Sequence, residues 1–503
     1  MKIKMKKTLR KLLISVITLT LTLGSISFSF ATTGAPPTTP AKQTQSSILV
    51  QYDGANISFT DAIPKIINGR TMVPFRQILE NIGATVEYDV ITKTVKATKG
   101  TKVVSFKIGS SDIQILDGLT TETKKMDVVP FVDAKNYRTY VSARFIAESF
   151  GYNVGWDSQA KTVIIVNFEQ LFANADSDFS ILNKLMSNNI DFEKTYHSTS
   201  SFDAAIKTYS SAKVIPYNIS GSLDSIQSKA SANIILGLKV DMSEYIASLP
   251  VDQRAEVQAS LEMWKNISVK MKVDGEKGVA YINSPIASFL NQNVDENTWI
   301  KLMLTNTSSQ DLSNLKSFFG SNRNDKSLAA LLNEYAKTST ITDVKTYEDI
   351  KIAYLAMKNL IGDQAFTKNT AGGSDNYSLN INKEAVLEAL AKAMIAEGKL
   401  TVPEDFAAMK QDLGTVNFNI DFALSLKQDM LDGYTIKGTG DFEGTTVGLN
   451  VYGDLANANM KLEVKREAVF EVLLNTKSSV IETTEALDLK LPTGAKVINY
   501  ENL

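Results

Sequence analysis

The segment Gly69-Arg70-Thr71-Met72-Val73-Pro74-Phe75-Arg76-Gln77-Ile78-Leu79-Glu80-Asn81-Ile82-Gly83 returns later in the chain. Its second copy is Tyr137-Arg138-Thr139-Tyr140-Val141-Ser142-Ala143-Arg144-Phe145-Ile146-Ala147-Glu148-Ser149-Phe150-Gly151, displaced by 68 residues. Both copies run on into Val86…Asp89…Lys93-Thr94-Val95 and Val154…Asp157…Lys161-Thr162-Val163. A constant offset means one supersecondary unit used twice. Each unit opens on a strand-like Arg-Thr stretch. In the first copy Phe75, Ile78, Leu79 and Ile82 fall at helical spacing, which predicts a helix over about Phe75–Asn81 entered at Pro74, where a missing N–H costs nothing. Gly83 and Gly151 stand where a helix ends in a left-handed residue. Thr85-Val86-Glu87-Tyr88 and Asn153-Val154-Gly155-Trp156 then begin a hairpin, so the unit is a helix followed by a hairpin.

The repeated charges invite a structural reading. Arg76 and Asp89, like Arg144 and Asp157, are 13 residues apart. A planar guanidinium early in a helix and a carboxylate at the following turn make a good fixed pair, so an ion pair is expected in each copy. Tyr88 and Trp156 hold equivalent places beside those carboxylates. They are expected in or near the core, with a stacking platform for sugars as the functional counterpart.

The signature R-T-x-V-P-x-R-x-I-x-E-x-x-G-x-x-V-x-[YW]-D…K-T-V, present in two copies in register, resembles the copper amine oxidase N-terminal (stalk) domain family. The resemblance covers about residues 48–167, a quarter of the chain, and the second copy departs from it with Ser142-Ala143 in place of Pro74-Phe75. It implies an accessory module, widespread in secreted proteins of Gram-positive bacteria, that sits away from the copper and the quinone. That family's copper site uses three His, and this chain has one, His197. The quinone forms from Tyr in Thr-x-x-Asn-Tyr-Asp/Glu; here Asn499-Tyr500-Glu501 is preceded by Lys496 at the Thr position. One imidazole cannot build a three-His site. No copper, no quinone and no other cofactor is therefore expected, and the chain is read as not an enzyme.

The chain's start carries Lys2, Lys4, Lys6, Lys7, Arg10 and Lys11, then an apolar run from Leu12 to Phe30, then Ser29-Phe30-Ala31. That order is a secretion signal with cleavage expected after Ala31, and no later stretch is apolar enough to span a bilayer. The chain has no Cys, which excludes disulfides, thiolate metal sites, Cys nucleophiles and a lipidated Cys anchor. Taking the six basic residues of the leader from 53 leaves 47 against 55 acidic ones, a net charge of −8, and a net acidic chain without a basic cluster is a poor partner for nucleic acid. Secretion to the medium or the cell wall of a Gram-positive bacterium is the expected location.

Residues 32–46, rich in Thr, Pro and Gln, read as a flexible linker. Residues 47–168 read as the stalk-like domain, and 169–212 as a partly helical linker. Residues 213–503 read as a second domain, because there the periodicity changes to two. Ile234, Leu236, Leu238 and Val240 alternate with polar or small residues, as do Ile267, Val269, Met271 and Val273. Phe418, Ile420, Phe422 and Leu424 alternate with Asn417, Asn419 and Asp421. One wet and one dry face marks an antiparallel sheet solvated on one side. Helices over Ser327–Lys337, Thr346–Ile361 and Lys383–Glu397 are expected to cover the dry face, giving an α+β fold. The layout resembles lipoprotein-carrier half-barrels, which implies a second possibility: Phe418, Ile420, Phe422 and Leu424 lining an open cavity for a lipid or other apolar ligand.

The remaining motifs carry little chemistry. His197 lies in a polar stretch without a Gly-x-Ser-x-Gly elbow. Ser158-Gln159-Ala160-Lys161 spells Ser-x-x-Lys and Ser374-Asp375-Asn376 spells Ser-Asp-Asn, but Lys-Thr-Gly is missing, and Ser158 falls in the second hairpin's turn. Asn322, Asn324 and Asp325 lack an EF-hand pattern. The sequence therefore reads as a secreted or envelope protein that serves interaction or assembly, its partner an unidentified envelope component, with the apolar-ligand carrier as the alternative and a wall hydrolase a distant third.

Overall fold

The computed structural model describes residues 48–187, 194–210, 213–228, 231–262, 265–285, 287, 294–303, 327–338, 340–399 and 417–499. The expected signal peptide and the 32–46 linker, Asn322, Asn324, Asp325, Tyr500 and Glu501 lie outside the described residues. No described helix is long and apolar enough to cross a membrane. Two compact units form: Ala31–Asp178 with Leu328–Leu355, and Phe179–Ser327 with Ala356–Leu503.

The front unit is built by the repeat. Helices Phe75–Asn81 and Ala143–Ser149 follow strands Arg70–Pro74 and Thr139–Ser142. These two strands pair antiparallel, Val73 against Val141, and so join the copies. Equivalent side chains then fill one core: Val73 and Val141, Phe75 and Ala143, Ile78 and Ile146, Leu79 and Ala147, Ile82 and Phe150. Neither copy could bury its apolar stripe alone, so each is the other's cover. The copies enter their helices differently, as the Pro74/Ser142 difference demands. Pro74 ends the strand and offers no capping side chain, whereas the Ser142 hydroxyl accepts from the Phe145 amide. Gly83 and Gly151 take φ of 80° and 89°, the left-handed turn expected after each helix.

The hairpins diverge in their company. Thr85–Asp89 and Thr94–Lys99 lead a five-stranded antiparallel sheet that continues through Lys102–Lys107, Asp112–Asp117 and Thr120–Lys125. Asn153–Asp157 and Thr162–Val166 instead join Leu49–Tyr52, the first strand among the described residues, in a four-stranded sheet.

The second unit is a 14-stranded sheet. Six strands between Thr195 and Met303 form one meander, and seven between Thr367 and Glu482 form another. The antiparallel pairing of Thr195–Ser210 with Phe470–Glu482 fuses them. Lys496–Asn499 adds the last strand, parallel to Thr298–Met303. The period-two pattern carries across the sheet in register. Leu379, Phe422, Ile436, Val451 and Met460 stand in one row, and Asn380, Asp421, Lys437, Asn450 and Lys461 in the next, on the opposite face. Helix Lys383–Ala396 begins where the Asn382 side chain accepts from the Ala385 amide, and it buries Val386, Leu387 and Leu390.

Two expectations need correction. The linker expected over 169–212 is three short helices up to Ser187 followed by a 16-residue strand, Thr195–Ser210. Its Ser- and Thr-rich composition hides the alternation of Phe202, Ala204 and Ile206. Residues 328–355, expected to cover the large sheet, group instead with the front unit.

Candidate functional site

The second repeat grips a distant part of the chain. Asn153–Asp157 is an edge strand of its sheet, and against it lies the stretch around Ile341–Val344. The Trp156 amide donates to the Ile341 carbonyl at 3.3 Å, and the Val344 amide donates to Asp157 Oδ2 at 3.2 Å. The contact is close because position 155 is glycine. A Cβ built there would sit 2.1 Å from the Ile341 carbonyl oxygen and 2.5 Å from its Cβ. The first repeat has Glu87 at this position, which bars the same approach. Its strand Thr85–Asp89 is exposed at four of five residues, whereas Asn153–Asp157 is buried or half-buried throughout.

More contacts extend the grip along 328–355. Tyr354 Oη donates to Asp178 Oδ2 at 2.8 Å, and its ring packs against Phe172. Burial, then Asp178, drives the Tyr354 phenol well above its ordinary range. The Ala329 amide donates to Asp176 Oδ1. Gly54, at φ 83°, would place a Cβ 3.1 Å from the Tyr347 ring. Beside Gly54 lies a polar cluster at the seam of the two copies. Lys99 Nζ donates to Tyr152 Oη and to the Ile82 carbonyl, both at 2.6 Å, and the Asn167 amide donates to Asp53 Oδ1. Burial, then the neighbouring Asp53 charge, pushes the Tyr52 phenol up to about 12. Burial also raises Asp53 and Tyr152.

The repeated ion pairs expected from the sequence do not form. Arg76 faces Glu80 at 3.7 Å and Arg144 faces Glu148 at 3.9 Å, each one helical turn on. The carboxylates close their own turns: Asp89 Oδ1 accepts from the Ile91 and Thr92 amides, Asp157 Oδ1 from the Gln159 and Ala160 amides. Those turn bonds hold the Asp89 carboxyl below its ordinary range. A carboxylate captured by two local N–H groups gains little from reaching for a distant arginine, whose own helix offers a partner four residues away. Trp156 packs against the core as expected, and Tyr88 is exposed.

Of the four residues expected to line an apolar ligand site, two are buried and two half-buried. Phe422 and Leu424 are 6% and 3% exposed, in a cluster with Tyr377, Leu426, Ile436, Val451 and Ile181. Phe366 stacks edge-on against both Phe422 and Tyr377, and Phe418 and Ile420 are half-buried. Ile181 belongs to this cluster and Phe366 packs against it; the alternation that marked these four residues marks any core strand equally well.

The other motifs fall in ordinary surroundings. His197 Nε2 lies 3.1 Å from Asp224 Oδ2 across neighbouring strands. Asp375 accepts from Thr370 and pairs with Lys368 within one hairpin, and those donors hold its carboxyl below the ordinary range. Among the described residues no group of three or more His, Cys, Asp or Glu side chains could hold a metal. Sequence reasoning missed the grip of the second repeat. Its one signal was the Glu87-to-Gly155 difference inside otherwise matched hairpins.

Comparison with known proteins places a family on the front unit. Residues 51–165 match the copper amine oxidase N-terminal domain model. A search of curated proteins finds no match. Among solved structures, the chain is similar to the crystal structure of Ail, the attachment invasion locus protein of Yersinia pestis. That match has 4% identity over 57% of this chain and 99% of that one, with a TM-score of 0.11.

Proposed function

We propose that this chain is a non-enzymatic protein exported to the cell envelope, where its copper amine oxidase N-terminal domain holds polypeptide rather than a cofactor. The observation that carries this reading is the second repeat's edge strand, which already grips residues of a distant segment through Gly155, Trp156 and Asp157. Adding a segment to an exposed edge is a general way for a domain to recognise extended chain. The ligand inventory agrees: a solitary imidazole and no thiol leave the domain without the side chains for copper and quinone chemistry. The leader supports export, and the absence of Cys suits a Gram-positive surface.

The test is made on the native host. Intact cells treated with an impermeant cross-linker are expected to link the chain to envelope components, with the mature N-terminus at Thr32. Copper-loaded purified protein is expected to release no peroxide from a primary amine. Retention in the cytoplasm, or amine-dependent peroxide at a rate proportional to protein, would overturn the reading.

A further inference from the structure

We propose that the wet face of the large sheet carries a binding site for a pyranose oligosaccharide, centred on Asp421 and bordered by Tyr452. A cleft of about 520 Å3 opens there, lined by the polar Thr367, Ser378, Asn380, Asp421, Thr435 and Lys437 and by the apolar Ala365, Leu379, Phe422 and Ala423. That volume falls within the range of about 300–1,000 Å3 found for ligand sites.

Its polar groups are held in place rather than left to solvent. Asn380 Nδ2 donates to Asn419 Oδ1 at 2.8 Å and to Asp421 Oδ1 at 2.7 Å. Asn419 Nδ2 donates to Asp421 Oδ2 at 3.0 Å, and Asn382 Nδ2 donates to Asn380 Oδ1 at 2.8 Å. Asn382 in turn caps the helix Lys383–Ala396, so the network is anchored on a rigid element. Asp421 is exposed yet fixed on both oxygens, and each oxygen keeps acceptor capacity for a hydroxyl. Lys437 stands directly across from it on the next strand.

The cleft has an aromatic border. Tyr452 pairs with Thr435, so it lies on the same face, with Cβ atoms about 5 Å apart. It is 49% exposed, in one row with Ser378, Ala423, Thr435 and Asn459. Asn450, next to Lys437 in the row, has a side-chain oxygen that is buried without a hydrogen-bond partner.

The chemistry selects a sugar over other ligands. Each sugar hydroxyl both donates and accepts, which fits a carboxylate, a lysine and the Ser378 and Thr435 hydroxyls placed together. The C–H face of a pyranose suits a tyrosine ring. A phosphate would meet the Asp421 charge. A metal ion would meet one carboxylate whose oxygens already accept from amides.

This inference goes beyond the envelope reading and stands or falls on purified protein, wherever the protein is delivered. Full-length chain is titrated calorimetrically with chitotetraose, cellotetraose, maltotetraose and xylotetraose. Parallel titrations use Asp421→Ala, Asp421→Asn, Tyr452→Ala and, as a control, Tyr137→Ala, which removes an exposed ring of the front unit. At least one tetrasaccharide is expected to bind with a dissociation constant of about 1 mM or tighter. Asp421→Ala and Tyr452→Ala should each weaken it by about tenfold or more without changing the melting temperature, and Tyr137→Ala should leave it unchanged. The conservative Asp421→Asn, which keeps an acceptor, should fall between. Failure of all four sugars to bind, or binding that Asp421→Ala or Tyr452→Ala leaves intact, overturns the site.

Discussion

Replacing Gly155 with alanine tests how the front unit holds residues 328–355. The added methyl would lie 2.1 Å from the Ile341 carbonyl oxygen, 2.5 Å from its Cβ and 2.6 Å from its Cγ2. The first of these is a backbone atom, so no rotamer change relieves the clash, and the segment must retreat by about 1 Å or more to reach ordinary contact. Retreat loses three things. The Trp156–Ile341 and Val344–Asp157 hydrogen bonds are worth about 1 kcal/mol each. Burial of Ile341, now 5% exposed, is worth about 2 kcal/mol. The docking of the segment should therefore weaken by about 4 kcal/mol at most, and by about 1–3 kcal/mol if the neighbours shift enough to keep part of the contact. A chain of two units need not unfold in one step, so the readout is local. Hydrogen exchange at the Trp156 and Val344 amides should speed by about one to three orders of magnitude, while the Val73 and Val141 amides of the core keep their protection. Glu87→Ala, at the equivalent position of the first repeat, should change neither. Unaltered exchange at Trp156 in a correctly folded Gly155→Ala protein would refute the reasoning, because it would mean that the closeness of Ile341 contributes nothing.

Three further outcomes follow from the same geometry. Asp157→Ala removes the acceptor for three backbone amides and should cost about 1–3 kcal/mol by denaturant unfolding, whereas Arg144→Ala, facing only an exposed Glu148, should cost less than about 0.5 kcal/mol. Phe422→Ala should destabilise the sheet unit by about 3–5 kcal/mol, as expected for a buried ring in a cluster with Tyr377, Leu424 and Ile436. The Tyr52 phenol, pushed up to about 12, holds its proton more tightly in the folded state than an ordinary phenol at 10.0. The folded state therefore binds more protons between those values, and stability should fall as pH rises from 10.0 to about 12. Ultraviolet titration of wild type against Tyr52→Phe checks this, and a Tyr52 that ionises near 10.0 would contradict it.

Much of the fold was legible because it is local. The constant offset gave the two helix–hairpin units, and each apolar residue of the first copy at 73, 75, 78, 79 and 82 has its partner in one shared core. Alternation of Phe418, Ile420 and Phe422 with Asn417, Asn419 and Asp421 gave the sheet and its two faces. Thr195–Ser210 was missed because Ser and Thr occupy both faces of much of it, and period two is invisible when both phases are polar. The arginine–aspartate pairs were misread because equal spacing in two copies identifies equivalent positions, and says nothing about which nearby partner wins. For Asp89 and Asp157 the winners are amides two and three residues away.

The chain alone determined the repeat, the wet and dry faces, the signature of the domain over residues 51–165 and the presence of a single His, since periodicity, motif and composition are read from neighbours in sequence. Only the tertiary structure decided what meets across long separations: that Ile341 rests on Gly155, that Ile181 and Phe366 pack in the cluster of Phe422, and that Asn380, Asn419 and Asp421 form one network. Those contacts depend on which strands become neighbours and on which distant segment packs against a given face, and both are settled between residues far apart in sequence.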